Sequence, residues 1–105
     1  MDTEQPVTLI NVFTVEAHNQ GRLVDILIEV TDRFVCNALG FIGARLHRSL
    51  DGTKVTMYAQ WRSVADYEAM RADPAPMPYF REALSLATFD PGMYEVVRDF
   101  NTPGS

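Results

Sequence analysis

Apolar and polar residues alternate with two periods along the chain, and the two periods mark out its elements. A period of two over segments rich in β-branched residues predicts four strands: Val7–Glu16, Phe41–Leu50, Thr53–Trp61 and Met93–Phe100. Apolar residues at helical spacing predict three helical segments: Asn19 to about Ala38, Val64 to about Ala72 and Tyr79 to about Ala87.

Residues with strong local preferences mark the boundaries between these elements. Asp51-Gly52 lies between two alternating runs, which is typical of a hairpin turn. Ser63, followed three residues later by Asp66, predicts a helix N-cap. Further boundary signals are Asn19 as an N-cap, Gly40 as a helix end, a Pro74–Pro78 connector, Pro78 in a first helical turn and a turn at Asp90-Pro91-Gly92.

The predicted order is β-α-β-β-α-β with the second helical region broken in two, which indicates an α+β, ferredoxin-like fold. Residues 7–100 are expected to form one domain, with flexible termini at 1–6 and 101–105. Both faces of the sheet carry apolar residues, and the helices can cover only one face. The residues expected on the uncovered face are Ile10, Val12, Ile42, Ala44 and Leu46. An uncovered apolar face predicts a homodimer that packs sheet to sheet.

Composition excludes several classes of protein. A net charge of −5 over 105 residues disfavours binding to nucleic acid or to an anionic membrane surface. Cys36 is the single cysteine, which rules out an intrachain disulfide framework, and it is expected to be a small packing residue. No pair of histidine or cysteine residues has the spacing of a metal site. The polar, acidic N-terminus does not resemble a signal peptide, and no apolar run reaches the ~20 residues of a membrane span. A cytoplasmic protein is therefore expected.

Candidate chemistry centres on the only tryptophan, Trp61, at the end of the third strand and beside a helix start. No phosphate loop, glycine fingerprint or nucleophile elbow is present. The polar groups expected near Trp61 are Asn11, His47, Tyr67 and Arg81. Each also has a purely structural interpretation: a strand amide bonded to backbone, a surface histidine, a core tyrosine and a solvated helix arginine. A two-residue turn at Asp51-Gly52 would place His47 opposite Thr56, whereas a three-residue turn would place it on the Trp61 face.

The runs VTLINVFTVEAHNQ and LHRSLDGTKVTMYAQWRS resemble the antibiotic biosynthesis monooxygenase family, and the likeness extends from Val7 to Phe100. The stretch from His47 to Ser63 is most similar to small oxygenases that convert anthrones to anthraquinones in aromatic polyketide pathways. The resemblance implies a dimeric α/β barrel of ferredoxin-like domains. It also implies a small aromatic substrate and O2 as partners, with no metal or flavin cofactor.

The resemblance implies catalytic roles for Trp61, Asn11, His47 and Arg81, and a substrate-binding role for Tyr67. Met57, Phe13 and Phe80 are expected to line an apolar slot for a flat aromatic ring. One position departs from the family pattern: relatives carry an asparagine four residues before the tryptophan, where this chain has Met57. The lost amide either removes oxygenase activity or transfers its role to Asn11.

Sequence features bear on three other functions. Haem-degrading relatives carry an axial histidine on the second helical region, and residues 64–87 contain none. A quinol monooxygenase of stress metabolism differs mainly in its substrate. A non-catalytic protein that binds an aromatic metabolite is favoured by Met57.

Overall fold

Four strands form one antiparallel sheet in the computed structural model, which describes residues 6–101. The strands are β1 (Val7–Val15), β2 (Phe41–Arg48), β3 (Lys54–Trp61) and β4 (Ala87–Tyr94). Their spatial order is β2-β3-β1-β4, so the first strand is central and the last strand lies at an edge.

Three α-helices complete the fold: α1 (Gln20–Arg33), α2 (Val64–Ala72) and α3 (Met77–Leu86). Short 3-10 segments at Ala17–Asn19 and Val35–Asn37 flank α1. The predicted α+β, ferredoxin-like order, with its second helical region broken in two, is confirmed.

The helices pack on one face of the sheet, which we call the inner face. Leu9, Phe13 and Val55 on this face are buried, as are Leu23 and Val30 of α1. Strand residues that lie opposite each other across a ladder share a face, so the register assigns every strand position to the inner or the outer face.

The hairpin between β2 and β3 settles the register that the sequence left open. His47 pairs with Thr56, which is the arrangement expected of a two-residue turn. Gly52 nevertheless has a φ of +84°, because the connection is a wider loop in which the Gly52 N–H donates to the Ser49 carbonyl. The Thr53 hydroxyl, the Thr53 N–H and the Ser49 hydroxyl all donate to Asp51 and lower its pKa to about 2.

A β-bulge changes the predicted faces of β2. The register of β2 against β3 shifts between Phe41 and Gly43, so Phe41 shares a face with Ala44 and Leu46. The prediction that Ala44 and Leu46 lie on the uncovered face was wrong, because one extra residue reverses strict alternation beyond it. Ile42, at the bulge, is exposed as expected.

The last strand begins six residues earlier than predicted. Ala87 starts β4 and does not end α3, and Asp90-Pro91-Gly92 lies within the strand and forms no turn. Proline is tolerated there because β4 is an edge strand, where one side of the backbone needs no ladder hydrogen bond. Residues 95–100, predicted as strand, have no regular structure.

The structure confirms some of the helix-end features that were predicted from local sequence. The Ser63 side chain accepts a hydrogen bond from the Asp66 N–H at 3.1 Å, so the predicted cap of α2 is confirmed. Pro78 lies in the first turn of α3, also as predicted. Asn19 precedes α1 but makes no side-chain cap hydrogen bond. Cys36 is exposed, which overturns its expected packing role.

The predicted flexible termini fall largely at 1–5 and 102–105, which lie outside the described residues. Within residues 6–101, no helix combines the length and the apolar character that crossing a membrane requires.

Candidate active site

An apolar cavity lies between the inner face of the sheet and the three helices. We call it the inner cavity. Strands β1, β3 and β4 form its floor, with Ala44 of β2 at one side, and residues of α1, α2 and α3 form its roof. Its wall is mainly aliphatic and aromatic, as is typical of small-molecule sites.

Aromatic rings form two ends of this wall. The Trp61 ring packs edge to face against Phe41 and Tyr67, with centroid distances of 5.4 and 5.7 Å. Phe13 stacks on Phe89 at 4.9 Å. Trp61 is buried because the end of β3 lies beneath α2, and these contacts hold its indole in one orientation.

Asn11 is the polar group in the floor of the cavity. Its Oδ1 atom is buried and has no hydrogen-bond partner. The ladder explains why, since Asn11 lies between Met57 on β3 and Pro91 on β4, and neither side chain has a hydrogen-bond donor. A buried, unpaired carbonyl oxygen costs about 1–3 kcal/mol. Such a group calls for a functional explanation.

Arg71 lies at the edge of the cavity, where α2 meets α3. Its Nη1 atom donates a hydrogen bond to the Tyr67 hydroxyl at 3.0 Å. Its guanidinium carbon lies 5.4 Å from the centroid of the Phe80 ring. These two contacts hold a positive charge beside an otherwise uncharged wall.

A second, wider depression between α2 and β4 adjoins the inner cavity. We call it the outer depression. The two share Leu9, Tyr67, Arg71 and Phe89. Of these four residues Arg71 is exposed, so it marks the mouth of the inner cavity on this side. Glu68 and Gly92 line only the outer depression.

Most of the residues predicted from the sequence meet in the inner cavity. The predicted residues that line the cavity are Asn11, Phe13, Met57, Trp61, Tyr67 and Phe80. They converge because β1, β3 and the two short helices all present their apolar sides to the same space.

His47 and Arg81 do not reach the cavity. His47 pairs with Thr56 and is exposed on the outer face, one position along β2 from Leu46, which faces inward. Arg81 is exposed on α3, because Phe80 and Ala83 occupy the side of that helix that meets the sheet. The expected placement of Arg81 beside Trp61 was wrong, and the register that the sequence left open places His47 away from Trp61.

Sequence reasoning missed Arg71 and Phe89. Arg71 follows Tyr67 by four residues, so the helical period places both on one side of α2. That spacing was the available signal. Phe89 was missed because β4 was predicted to begin after it.

Titratable groups are scarce in the inner cavity. Among the described residues of its wall, Arg71 is the only one with a charged side chain, and Tyr67 is the only one with a phenol. Residues 6–101 contain no group of three or more histidine, cysteine, aspartate or glutamate side chains placed to hold a metal ion.

A family model described as antibiotic biosynthesis monooxygenase matches residues 6–84. This range includes every residue that lines the inner cavity except Phe89 of β4. The chain belongs to the antibiotic biosynthesis monooxygenase family. The resemblance drawn from the sequence is thereby confirmed, and the chain is an enzyme of the monooxygenase class.

Other members of the antibiotic biosynthesis monooxygenase family show how far the likeness extends. Tetracenomycin-F1 monooxygenase of Streptomyces glaucescens is 43% identical over 93 residues, covering 89% of this chain and 83% of that protein. SnoaB of Streptomyces nogalater, described as a cofactor-independent oxygenase, superposes with a TM-score of 0.80 at 20% identity, covering 96% of this chain and 99% of that one. A putative monooxygenase of Shewanella loihica has a TM-score of 0.71 at 27% identity, covering 93% and 100%.

Proposed function

We propose that this protein is a cofactor-independent monooxygenase of aromatic polyketide metabolism. Its substrate is an electron-rich polycyclic aromatic of the anthrone or hydroquinone type, which it oxidises to a quinone with O2. The unpaired Asn11 Oδ1 atom in an apolar, aromatic-walled cavity carries the proposal. The names of tetracenomycin-F1 monooxygenase and of the cofactor-independent oxygenase SnoaB support it.

The amide of Asn11 can serve both forms of such a substrate. Its Oδ1 atom accepts a hydrogen bond from a phenolic hydroxyl, and its Nδ2 group donates to the oxyanion after deprotonation. Donors fixed in an apolar site stabilise a developing oxyanion more strongly than water does.

The residue opposite Trp61 on β1 is Val7, which lies four residues before Asn11. Trp61 and Val7 therefore form one cross-strand row, and Asn11 and Met57 form another. The two rows are about 13 Å apart along the strands. That separation suits several fused rings lying parallel to the strands, with the Trp61 indole N–H as a donor near one end and the Asn11 amide near the other.

The reaction needs no electrons beyond those of the substrate. An anthrone loses a proton from its methylene carbon and gives a delocalised anion, which transfers one electron to O2. Recombination forms a carbon–oxygen bond, and the resulting peroxide anion takes a proton from water to give a hydroperoxide. Loss of the second methylene hydrogen as a proton, with cleavage of the O–O bond, releases water and leaves a ketone. One oxygen atom enters the quinone and the other leaves as water.

The first proton leaves to water at the mouth of the cavity. With His47 on the outer face, the described wall of the inner cavity contains neither an imidazole nor a carboxylate. The protein therefore favours ionisation by stabilising the anion and not by supplying a strong base.

Oxygen uptake with dithranol, a simple anthrone, tests the activity. Metal-stripped protein should consume O2 in proportion to its concentration, above the rate of autoxidation. Trp61→Phe should lower kcat by about tenfold or more, because one oxyanion donor is lost. Phe41→Leu is the matched control, since it alters packing against Trp61 without removing a donor. Unchanged turnover in Trp61→Phe would remove the indole from the mechanism.

A quinol monooxygenase is the nearest alternative, and oxygen uptake with a simple quinol but not with dithranol would favour it. Met57, in place of the family asparagine, favours a second candidate, a protein that binds an aromatic metabolite without oxidising it. Saturable quenching of Trp61 fluorescence by dithranol with no oxygen uptake would support the binding protein.

We also propose that the protein is a homodimer that packs through the outer face of the sheet. Ile42 and Tyr94 are 55% and 52% exposed there, and Ile10 and Val12 are only half-buried. Residues 95–101 add Val97 and Phe100, which are 92% and 83% exposed. A second copy would cover these apolar surfaces.

A further inference from the structure

Arg71 is the only charged side chain in the wall of the inner cavity, within the part of the chain that the structure describes. It also borders the outer depression. A ligand in the cavity therefore meets this one charge at the mouth, whereas the deeper wall offers apolar groups, the Asn11 amide and the Trp61 indole.

The contacts of Arg71 fix its position without neutralising it. The Tyr67 hydroxyl accepts one of its N–H groups at 3.0 Å, and the Phe80 ring lies beneath the guanidinium. Both partners are uncharged. Among residues 6–101, no carboxylate forms an ion pair with Arg71, whereas Arg33 pairs with Glu29 at 3.3 Å.

An arginine held this way is suited to one class of anion. The planar guanidinium has further N–H donors beyond the one bonded to Tyr67, and its geometry matches the two oxygens of a carboxylate. Glu68, which lines the outer depression only, repels an anion that extends farther from the mouth. The favourable place for a negative charge is therefore beside Arg71 at the mouth.

We propose that Arg71 selects aromatic acids: the substrate is a polycyclic aromatic whose edge at the mouth carries a carboxylate. This inference rests on the proposed function, because it specifies the substrate of the same cavity. The fused rings lie between Asn11 and Trp61, and the carboxylate lies at the mouth of the cavity against Arg71. The carboxylate takes no part in the oxidation and determines which aromatic binds.

Two compounds that are already quinones test the selection without turnover. Anthraquinone-2-carboxylate and anthraquinone-2-carboxamide have nearly the same shape and differ in charge. Binding is measured by quenching of Trp61, the single tryptophan. The wild-type protein should bind the carboxylate about tenfold more tightly than the amide, as expected of one charge-assisted contact at a partly exposed site. Raising the salt concentration should narrow that difference.

Variants assign the preference to Arg71. Arg71→Met should bind both compounds equally, and Arg71→Lys should keep part of the preference. Arg48→Met is the matched control: Arg48 is exposed at the end of β2 and lines neither the inner cavity nor the outer depression, so its loss should preserve the tenfold difference. Circular dichroism confirms that each variant is folded.

The outcomes separate the inference from the proposed function. Equal, salt-independent binding of both compounds by the wild-type protein would overturn selection by Arg71 and leave the aromatic cavity standing. An equal loss of affinity for both compounds in Arg71→Met would also overturn it, because Arg71 would then act only by supporting Tyr67. Binding of neither compound would overturn both proposals.

Discussion

Asn11 combines a stability cost with a proposed functional role at the scale of single residues. Its Oδ1 atom is buried without a partner because Met57 and Pro91 flank it. Asn11→Leu, which has the same branching and the same number of side-chain heavy atoms, should therefore raise the free energy of unfolding by about 1–3 kcal/mol. The same variant should lower kcat/KM for dithranol by about tenfold or more, because the oxyanion loses a donor. Thermal unfolding and oxygen uptake measure the two effects.

Met57→Leu is the control for that experiment, since it preserves an apolar side chain of similar size opposite Asn11. It should change kcat/KM by less than about threefold and stability by less than about 1.5 kcal/mol. If Asn11→Leu is both destabilised and fully active, Asn11 has a structural role only.

The buried side of a helix could be predicted from the sequence, whereas the register between two paired strands could not. Tyr67 and Phe80 reach the cavity because helical spacing alone fixes the buried side of α2 and of α3. His47 depended on how the loop around Gly52 aligns two strands, and either alignment satisfies the local turn preferences.

Element boundaries could likewise be predicted where they depend on nearby residues, but not where they depend on distant strands. The N-cap at Ser63 is a contact over three residues, so the sequence predicted it. The bulge after Phe41 and the early start of β4 depend on pairing with distant strands. Proline and glycine at 91–92 suggested a turn, but the edge position of β4 accommodates both within a strand.

Gly40 lies against the first turn of α2, the helix that carries Tyr67 and Arg71. Its φ is +86°, and an added Cβ would lie 2.3 Å from Oδ2 of Asp66, in the first turn of α2. Gly40→Ala should therefore lower the free energy of unfolding by about 2 kcal/mol or more, through backbone strain and displacement of α2. Because α2 carries Tyr67 and Arg71, ligand affinity should fall as well. Denaturant unfolding measures the stability change.

Gly21→Ala is the matched control in α1, where an added Cβ meets nothing within 4 Å. It should leave stability unchanged or raise it by up to about 1 kcal/mol, because alanine favours the helix. Equal effects of the two substitutions would contradict the role assigned to Gly40.

At the scale of the whole molecule, the helices found within residues 6–101 all lie on one face of the sheet. The bulge in β2 moved Ala44 and Leu46 inward, so the outer face is less apolar than the sequence predicted. The prediction of a dimer now depends on Ile10, Val12, Ile42 and Tyr94, together with residues 95–101. Since 95–101 follow directly from the edge strand β4, the two apolar surfaces are continuous along the chain.

Ile10→Lys places a charge at the centre of that outer face, on the central strand β1. Analytical ultracentrifugation of the wild-type protein should give twice the 11.8 kDa mass of one chain, and Ile10→Lys should shift the equilibrium to the monomer. Ile28→Lys, the same change at a 47% exposed position on α1, should remain dimeric. A wild-type monomer at high concentration would refute the dimer. If truncation after Tyr94 also gave a monomer while Ile10→Lys stayed dimeric, residues 95–101 and not the outer face would form the contact.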